Sequence, residues 1–379
     1  MRKFVLLLIV AMLSFGFVSQ AKAVDSMGAD EDQVTANQMA DYKEDVNKAI
    51  ADLNSKIQAV DAKVDKGATV SGRAYIAYES WLKNAGAAPT IYNKFAIHRV
   101  YLDYKKSLAD DAAVRITTDM GNESTLSAQN NIYLKYAYFD LSNFSKHVPL
   151  TSLIGLQTVR LGQSATHWID FMQEFWTFRY VEKTLTDYYS FFGSGSADLG
   201  LAALGSFNLL GNALDYHFTL MNGAGYKSAE TNTSKNIALK IKAQPFAWDK
   251  NKVTVAAGYV YEGLDLSSFN TGTATKKLTA MAALNFARGI LFAEYANNAD
   301  SSTTPGGTSV GGQYELVGNT NLFGRLDNYK KSGSNYVYTI AGLEYNWGKN
   351  VKLALDYRNE TKDGADYNNV MAVNTRVKW

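Results

Sequence analysis

The chain has 379 residues, 46% of them hydrophobic, 13% aromatic and 20% charged, with four prolines and no cysteine. The absence of cysteine excludes disulfides, thiolate metal sites, a cysteine nucleophile and a lipid-modified N-terminal cysteine. A formal net charge of +2 gives no basis for a nucleic-acid partner, and the length, long for one soluble domain, suits a single all-β barrel.

Residues 1–23 read as a signal peptide: Met1-Arg2-Lys3 is a positive start, Phe4 to Val18 an apolar run, and Ala21-Lys22-Ala23 a small-x-small cleavage site. The apolar run is shorter than the ~20 residues a spanning helix needs. Cleavage before Val24 sends the mature chain beyond the inner membrane. Residues 24–66 then change character, with no Gly or Pro from Gln33 to Lys66. Val46, Ile50, Leu53, Ile57, Val60 and Val64 follow one another at alternating steps of four and three, which is the seam of a coiled coil. Met39 precedes this seam and Lys43 interrupts its start. The spacing predicts a periplasmic stalk of two or three helices; a lone amphipathic helix lying on another surface is the alternative. Charge divides at the same boundary: the mature chain carries −1, with −5 in residues 24–66 and +4 in residues 67–379.

From Gly67 the helical period gives way to a period of two. Val100, Leu102 and Tyr104 alternate with Arg99, Tyr101 and Asp103; Val114, Ile116 and Met120 with Arg115, Thr117 and Asp119; Val351, Leu353, Leu355 and Tyr357 with Lys352, Asp356 and Arg358. Such segments, repeated sixteen times between about Thr69 and Trp379, predict an all-β fold: a 16-stranded antiparallel transmembrane β-barrel over residues 67–379. A soluble barrel of that size would fill its interior with apolar side chains, whereas here one face of nearly every segment is ionic. The apolar face is therefore expected to meet lipid, where unpaired edge amides cost several kcal/mol each and closure is required. Short connections are predicted at Ser107–Ala109, Ser142–Pro149, Asn208–Asn212, Phe246–Asn251, Ala287–Gly289, Val317–Asn319 and Gly348–Lys349, alternating with mostly longer ones. Pro89, Pro149, Pro245 and Pro305 are expected in connections or at strand ends. Trp248, Phe286, Trp347 and Trp379 on one rim, and Tyr78, Tyr259, Tyr295 and Tyr357 on the other, read as interface girdles. Val377 and Trp379 close an alternating last strand, which resembles the assembly signal read by the outer-membrane barrel-assembly machinery.

The third long connection, from about Val159 to Ala197, is rich in rings that need burial. Asp170, Glu174, Arg179, Tyr180, Lys183 and Asp187 are its candidate pore-facing groups if it folds into the lumen; a lid on the rim or a subunit contact is the alternative. Gly155-Leu156-Gln157, then Phe178-Arg179-Tyr180 with Lys183 and Asp187, then Ala197-Asp198-Leu199-Gly200, together with the helical segment ahead of the barrel, resemble the phosphate-selective O/P-type porin superfamily. The resemblance implies a trimeric outer-membrane channel whose third external loop narrows the pore. Phosphate selectivity is not carried over, because the phosphate-binding arginines and lysines of that family have no residue-by-residue match here.

Alternation alone places Arg73, Arg99, Lys105, Arg115, Lys135, Lys240, Lys242, Arg325, Lys352, Arg358, Arg376 and Lys378 on the inner face. It places Glu79, Asp103, Asp119, Asp215, Glu294, Asp327, Glu344, Asp356 and Glu360 there too. Rings of side-chain charge set ion preference, and the small basic excess predicts a mild anion bias. No H-E-x-x-H or G-x-S-x-G motif occurs, and His98, His147, His167 and His217 lack ligand spacing, so no metal, cofactor or catalytic residue is expected. Asp215, His217 and Thr219 share a strand face, but neighbours two apart lie ~7 Å from one another. The remaining alternatives are an anchor tethering the membrane to peptidoglycan through the stalk, and a barrel hydrolase.

Overall fold

The computed structural model describes residues 67–84, 92–121, 131–166, 168–172, 175, 185–188, 195–209, 212–265, 275–298 and 306–379, with six helical positions between 44 and 55. The chain divides into two units, residues 1–65 and 66–379. In the first, Glu44, Asn47, Lys48, Ala51, Asp52 and Ser55 are helical and exposed. All six fall off the expected seam, and Lys48 reaches Glu44 one turn back at 2.9 Å. The seam residues themselves and the expected signal peptide lie outside the described residues.

The second unit is a closed barrel of sixteen strands. In chain order they are β1 (Ala68–Asn84), β2 (Tyr92–Ala109), β3 (Ala112–Gly121), β4 (Asn131–Leu141), β5 (Leu156–Ala165), β6 (Ala197–Leu209), β7 (Asn212–Met221) and β8 (Ser234–Trp248). There follow β9 (Asn251–Asp265), β10 (Thr275–Phe286), β11 (Gly289–Asn298), β12 (Gly306–Val317), β13 (Thr320–Lys331), β14 (Ser334–Trp347), β15 (Val351–Lys362) and β16 (Ala365–Lys378). Each strand pairs antiparallel with its chain neighbours, and β1 pairs with β16 from Arg73↔Lys378 to Asn84↔Asn368, so no edge is left open. The seam ends in a reciprocal pair: Gly72 N donates to Trp379 O at 3.0 Å and Trp379 N to Gly72 O at 3.2 Å.

Both ends of the barrel chain lie on one rim, called lower here. Six of its seven connections have two or three residues, and at the upper rim β13–β14 and β15–β16 turn in two residues each. Those turns, Ser332-Gly333 and Asp363-Gly364, have positive φ at both positions (51° and 82°; 50° and 82°), the backbone that matches strand twist in two-residue hairpins. The Asn335 backbone amide donates to Asp363 at 2.8 Å and holds that carboxyl below its ordinary range.

Several boundaries differ from expectation. Ser107–Ala109 is still ladder, opposite Ala113 and Ala112, so the turn is residues 110–111. The β4–β5 connection runs on to Gly155, because a helical turn at Phe144–His147 and a 3-10 segment at Pro149–Ile154 follow one another. The long connection begins at Thr166 rather than Val159, since Val159–Ala165 pair with Ala203–Ala197. Pro245 sits inside β8 rather than at its end, where the register slips between Ala243 and Phe246; a bulge there spares the ladder a missing N–H.

The two faces are chemically opposite. Ile76, Leu102, Ile116, Leu201, Leu239, Val255, Leu291, Leu326, Leu343, Leu355 and Val373 stand exposed on the outer face. Arg99, Asp119, Lys135, Glu294, Arg325, Asp327, Glu344, Asp356 and Arg358 are buried on the inner one. Two bulges add to the inner charge. The β1–β2 register skips His98, and the β3–β4 register skips Lys135, so His98-Arg99 and Lys135-Tyr136 each turn two successive side chains inward.

Candidate functional site: the inner wall and its infolded loops

The inner face of β1–β5 is a lattice of cations, carboxylates and tyrosines. Arg99 Nη1 lies 3.1 Å from Asp119, and Arg115 Nε 2.8 Å from Asp103, which also accepts from Thr117. Arg160 forms a two-pronged pair with Asp140 at 2.7 and 2.9 Å, and its guanidinium lies 4.0 Å from the centre of the Tyr138 ring. Lys135 lies 5.1 Å from the Tyr101 ring and 5.3 Å from the Tyr136 ring, while Arg73 donates to Tyr75 at 2.9 Å. Paired this way, charges on the concave inner wall keep hydrogen-bond partners of opposite sign.

The lattice continues across the closing seam. Arg358 bridges Asp356 at 2.6 Å and Glu79 at 3.2 Å, and Glu79 also meets His98 at 3.1 Å. Lys352 holds Glu344 at 2.6 Å, Arg325 holds Asp327 at 2.7 Å, and Lys242 holds Asp215 at 3.1 Å. Arg376 is buried on the same face. Of the charges expected on this face, Arg99, Arg115, Lys242, Arg325, Lys352 and Arg358 meet Asp119, Asp103, Asp215, Asp327, Glu344, and Asp356 with Glu79, respectively. The expected list lacked His98 and Arg160. His98 breaks alternation by a bulge, and Arg160 lay in a segment read as loop.

Between β8 and β11 the inner wall is different. Ala238, Ala256, Val260, Met281, Ala283, Phe292 and Ala296 form one continuous buried cluster with Trp168, Ile169, Phe171, Met172 and Leu185 of the β5–β6 connection. That connection therefore folds onto the inner face. Glu294 of β11 fixes it: Trp168 Nε1 donates to one carboxylate oxygen at 2.9 Å and the Leu185 backbone N–H to the other at 3.2 Å. Lys240 lies 4.3 Å from the centre of the Phe171 ring. Of the loop residues expected to face the pore, Asp170 and Asp187 fall in the helical turns Ile169–Met172 and Leu185–Tyr188. Glu174, Arg179, Tyr180 and Lys183 lie outside the described residues.

The β7–β8 connection also turns inward. Asp198 accepts from Gly223 N at 2.6 Å, which anchors its start, and Tyr226 reaches Asp119 of β3 at 2.7 Å. Burial pushes the Tyr226 phenol up, so it keeps the proton it donates.

A closed sixteen-stranded barrel with an apolar exterior, an ionic interior and a long loop bound to its inner wall defines the porin type of fold. Solved structures agree. OprB of Pseudomonas putida superposes with a TM-score of 0.65 at 10% identity, over 83% of this chain and 95% of that one. The anion-selective porin of Comamonas acidovorans gives 0.56 at 12%, over 82% and 99%, and a mutant of the Rh. blastica porin 0.52 at 14%, over 82% and 100%. No family model and no curated sequence matches the chain.

Proposed function

We propose that the chain is a bacterial outer-membrane porin, a water-filled channel for passive diffusion of small hydrophilic solutes and ions. The observation that carries this reading is the division of faces: exposed aliphatic side chains outside, paired charges inside, on a barrel with no open edge. Barrels of sixteen strands are wide enough to leave an aqueous channel. In this reading Arg73, Arg99, Asp103, Arg115, Asp119, Lys135, Lys240, Lys242, Arg325, Asp327, Lys352, Arg358 and Arg376 line the pore. The β5–β6 loop, held by Glu294, narrows it from the β8–β11 side and presents Asp170, Glu174, Arg179, Tyr180, Lys183 and Asp187 to passing solutes. The inner wall is slightly richer in cations than in acids, which supports a mild anion preference. Outer-membrane lipid surrounds the outer face, the lower rim faces the periplasm, and residues 24–66 form a stalk there, within reach of peptidoglycan, beneath a homotrimer.

Single-channel recording of the purified protein in planar bilayers tests this. Stepwise ohmic conductance is expected, in groups of three per insertion, with a reversal potential of anion sign in a salt gradient. Membranes that stay silent with correctly folded protein would remove the channel reading. A cation-sign potential would remove only the anion preference.

A further inference from the structure

Among the lower-rim connections, β4–β5 is the one that is not a tight turn, and it carries aliphatic side chains in the open. Leu150 is 74% exposed, Leu153 79% and Ile154 59%, with Val148 exposed beside them. Leu150 and Leu153 stand three apart in the 3-10 segment Pro149–Ile154, so they eclipse on one side of it. The segment is pinned at both ends. Before it, His147 Nε2 lies 2.5 Å from Asp111 of the β2–β3 turn, whose carbonyl accepts from Ser142 N at 2.7 Å. After it, Gly155 O accepts from Ser206 N of β6 at 3.0 Å, and a Cβ on Gly155 would lie 3.5 Å from the Cβ of Phe207. Phe207 and Leu209 are exposed and share the outer face of β6 with Leu201, so the segment ends beside the apolar exterior. Its own polar groups are satisfied within it. Thr151 Oγ1 donates to Val148 O at 2.7 Å, Ser152 Oγ to Pro149 O at 2.6 Å, and Gly155 N to Ser152 O at 3.0 Å.

We infer that the β4–β5 connection is a membrane-interface anchor, whose Leu150, Leu153 and Ile154 enter the acyl boundary of the lower phospholipid leaflet. Aliphatic side chains gain free energy on leaving water in proportion to the area removed. A segment whose hydroxyls and N–H groups are closed on themselves enters a medium without hydrogen-bond partners at little cost. Such elements lie in the interface plane with the apolar side toward the acyl chains. Charge does not select the lipid: His147 pairs with Asp111, while Lys146 and Asp110 are one base and one acid, both exposed. The contact is therefore apolar, and a zwitterionic lipid suffices. A second copy of the chain is the other candidate cover, but this short segment is small against the ~800 Å² per partner that a stable interface buries. Continuity with Phe207 and Leu209 favours the leaflet that already meets the outer face. The inference rests on the outer-membrane reading and adds to it a device that fixes the height of the barrel on its β4–β6 side.

The chain has no cysteine, so a single introduced one carries a nitroxide label without background. Full-length protein labelled at Leu150→Cys, Leu153→Cys, Leu355→Cys or Lys349→Cys is refolded into phosphatidylcholine vesicles. Each label's collision with oxygen, which concentrates in lipid, is compared with its collision with a water-soluble nickel chelate. Leu355 reports the outer wall, and Lys349 a tight turn on the same rim. The oxygen-to-nickel ratio at Leu150 and Leu153 is expected several-fold above that at Lys349 and close to that at Leu355. Adding Leu153→Asp is expected to return the Leu150→Cys label to the value at Lys349. Water-level ratios at Leu150 and Leu153, with a lipid-level ratio at Leu355, overturn the anchor alone. A water-level ratio at Leu355 overturns the membrane reading along with it. Shielding of Leu150 and Leu153 from both reagents, with spin–spin broadening that vanishes on dilution with unlabelled chain, assigns the patch to a second copy and overturns the anchor. So does a Leu150→Cys label that Leu153→Asp leaves unmoved.

Discussion

Two stretches of the same inner wall, β1–β5 and β8–β11, are built by opposite rules. In β1–β5 the inward positions are Arg, Lys, Asp and Tyr, and each charge is held by a neighbour, as Arg115 is by Asp103 and Arg160 by Asp140. In β8–β11 they are largely Ala, Val and Met, and the space they leave is filled by Trp168, Ile169, Phe171 and Met172 from a loop. The difference shows how one barrel solves two problems. Ionic side chains keep a concave wall wet, whereas small apolar ones give a loop a dry surface to bind. Glu294, a carboxylate within that dry surface, receives the loop's own N–H groups.

Variants can set these two stretches against each other. Trp168→Ala should have the largest effect, because it removes a fully buried indole and its hydrogen bond; the loss is ~3–5 kcal/mol of loop docking. The barrel should stay folded while the loop becomes open to limited proteolysis and the single-channel current becomes noisier. Protection equal to wild type would mean that the apolar surface does not hold the loop. Arg358→Ala should cost about 3 kcal/mol, the low end for removing one partner of a buried pair, since Glu79 retains His98. Here proteolytic protection of the loop should be unchanged and the reversal potential should move toward cations; a loop that opens instead would erase the distinction between the two stretches. Glu294→Ala follows at ~2 kcal/mol, leaving two buried donors without an acceptor. Glu294→Gln, which keeps one acceptor oxygen, should fall between it and wild type in the same proteolysis assay.

How much of this was legible in the sequence follows from the same contrast. Alternation is strong where the inner face is ionic, so β2, β3 and β15 could be read from Arg99-Val100-Tyr101, Arg115-Ile116-Thr117 and Lys352-Leu353. It is weak where both faces are apolar: Ala256, Gly258 and Val260 alternate with Val255, Ala257 and Tyr259, and nothing in that run announces a surface for a loop. The aromatic content of the loop was the one readable sign that it needed such a surface. Bulges are invisible to a period of two, which is why His98 was missed although Glu79 holds it. Val159–Ala165 reads as the start of the long connection, although its backbone is still paired in β5. Pro245 argued for a strand end because only a register slip, unreadable in advance, allows it inside β8.

The smallest expected effect concerns the place where the charged wall closes on itself. A Cβ on Gly72 would land on the indole of Trp379, and the two residues also exchange backbone hydrogen bonds. Gly72→Ala therefore forces the ring aside, at ~1 kcal/mol for overpacking. If the contact holds the seam, the same substitution should be close to neutral once the ring is gone, so Gly72→Ala measured in a Trp379→Ala background isolates the pair as a coupling energy. The readout is the denaturant midpoint of the folded barrel in micelles. Equal cost in both backgrounds would show that the ring merely rests there. Trp379→Phe separates this contact from the expected assembly role: a terminal aromatic remains for assembly, while the smaller ring covers less of Gly72, so the penalty for Gly72→Ala should shrink without loss of barrel yield.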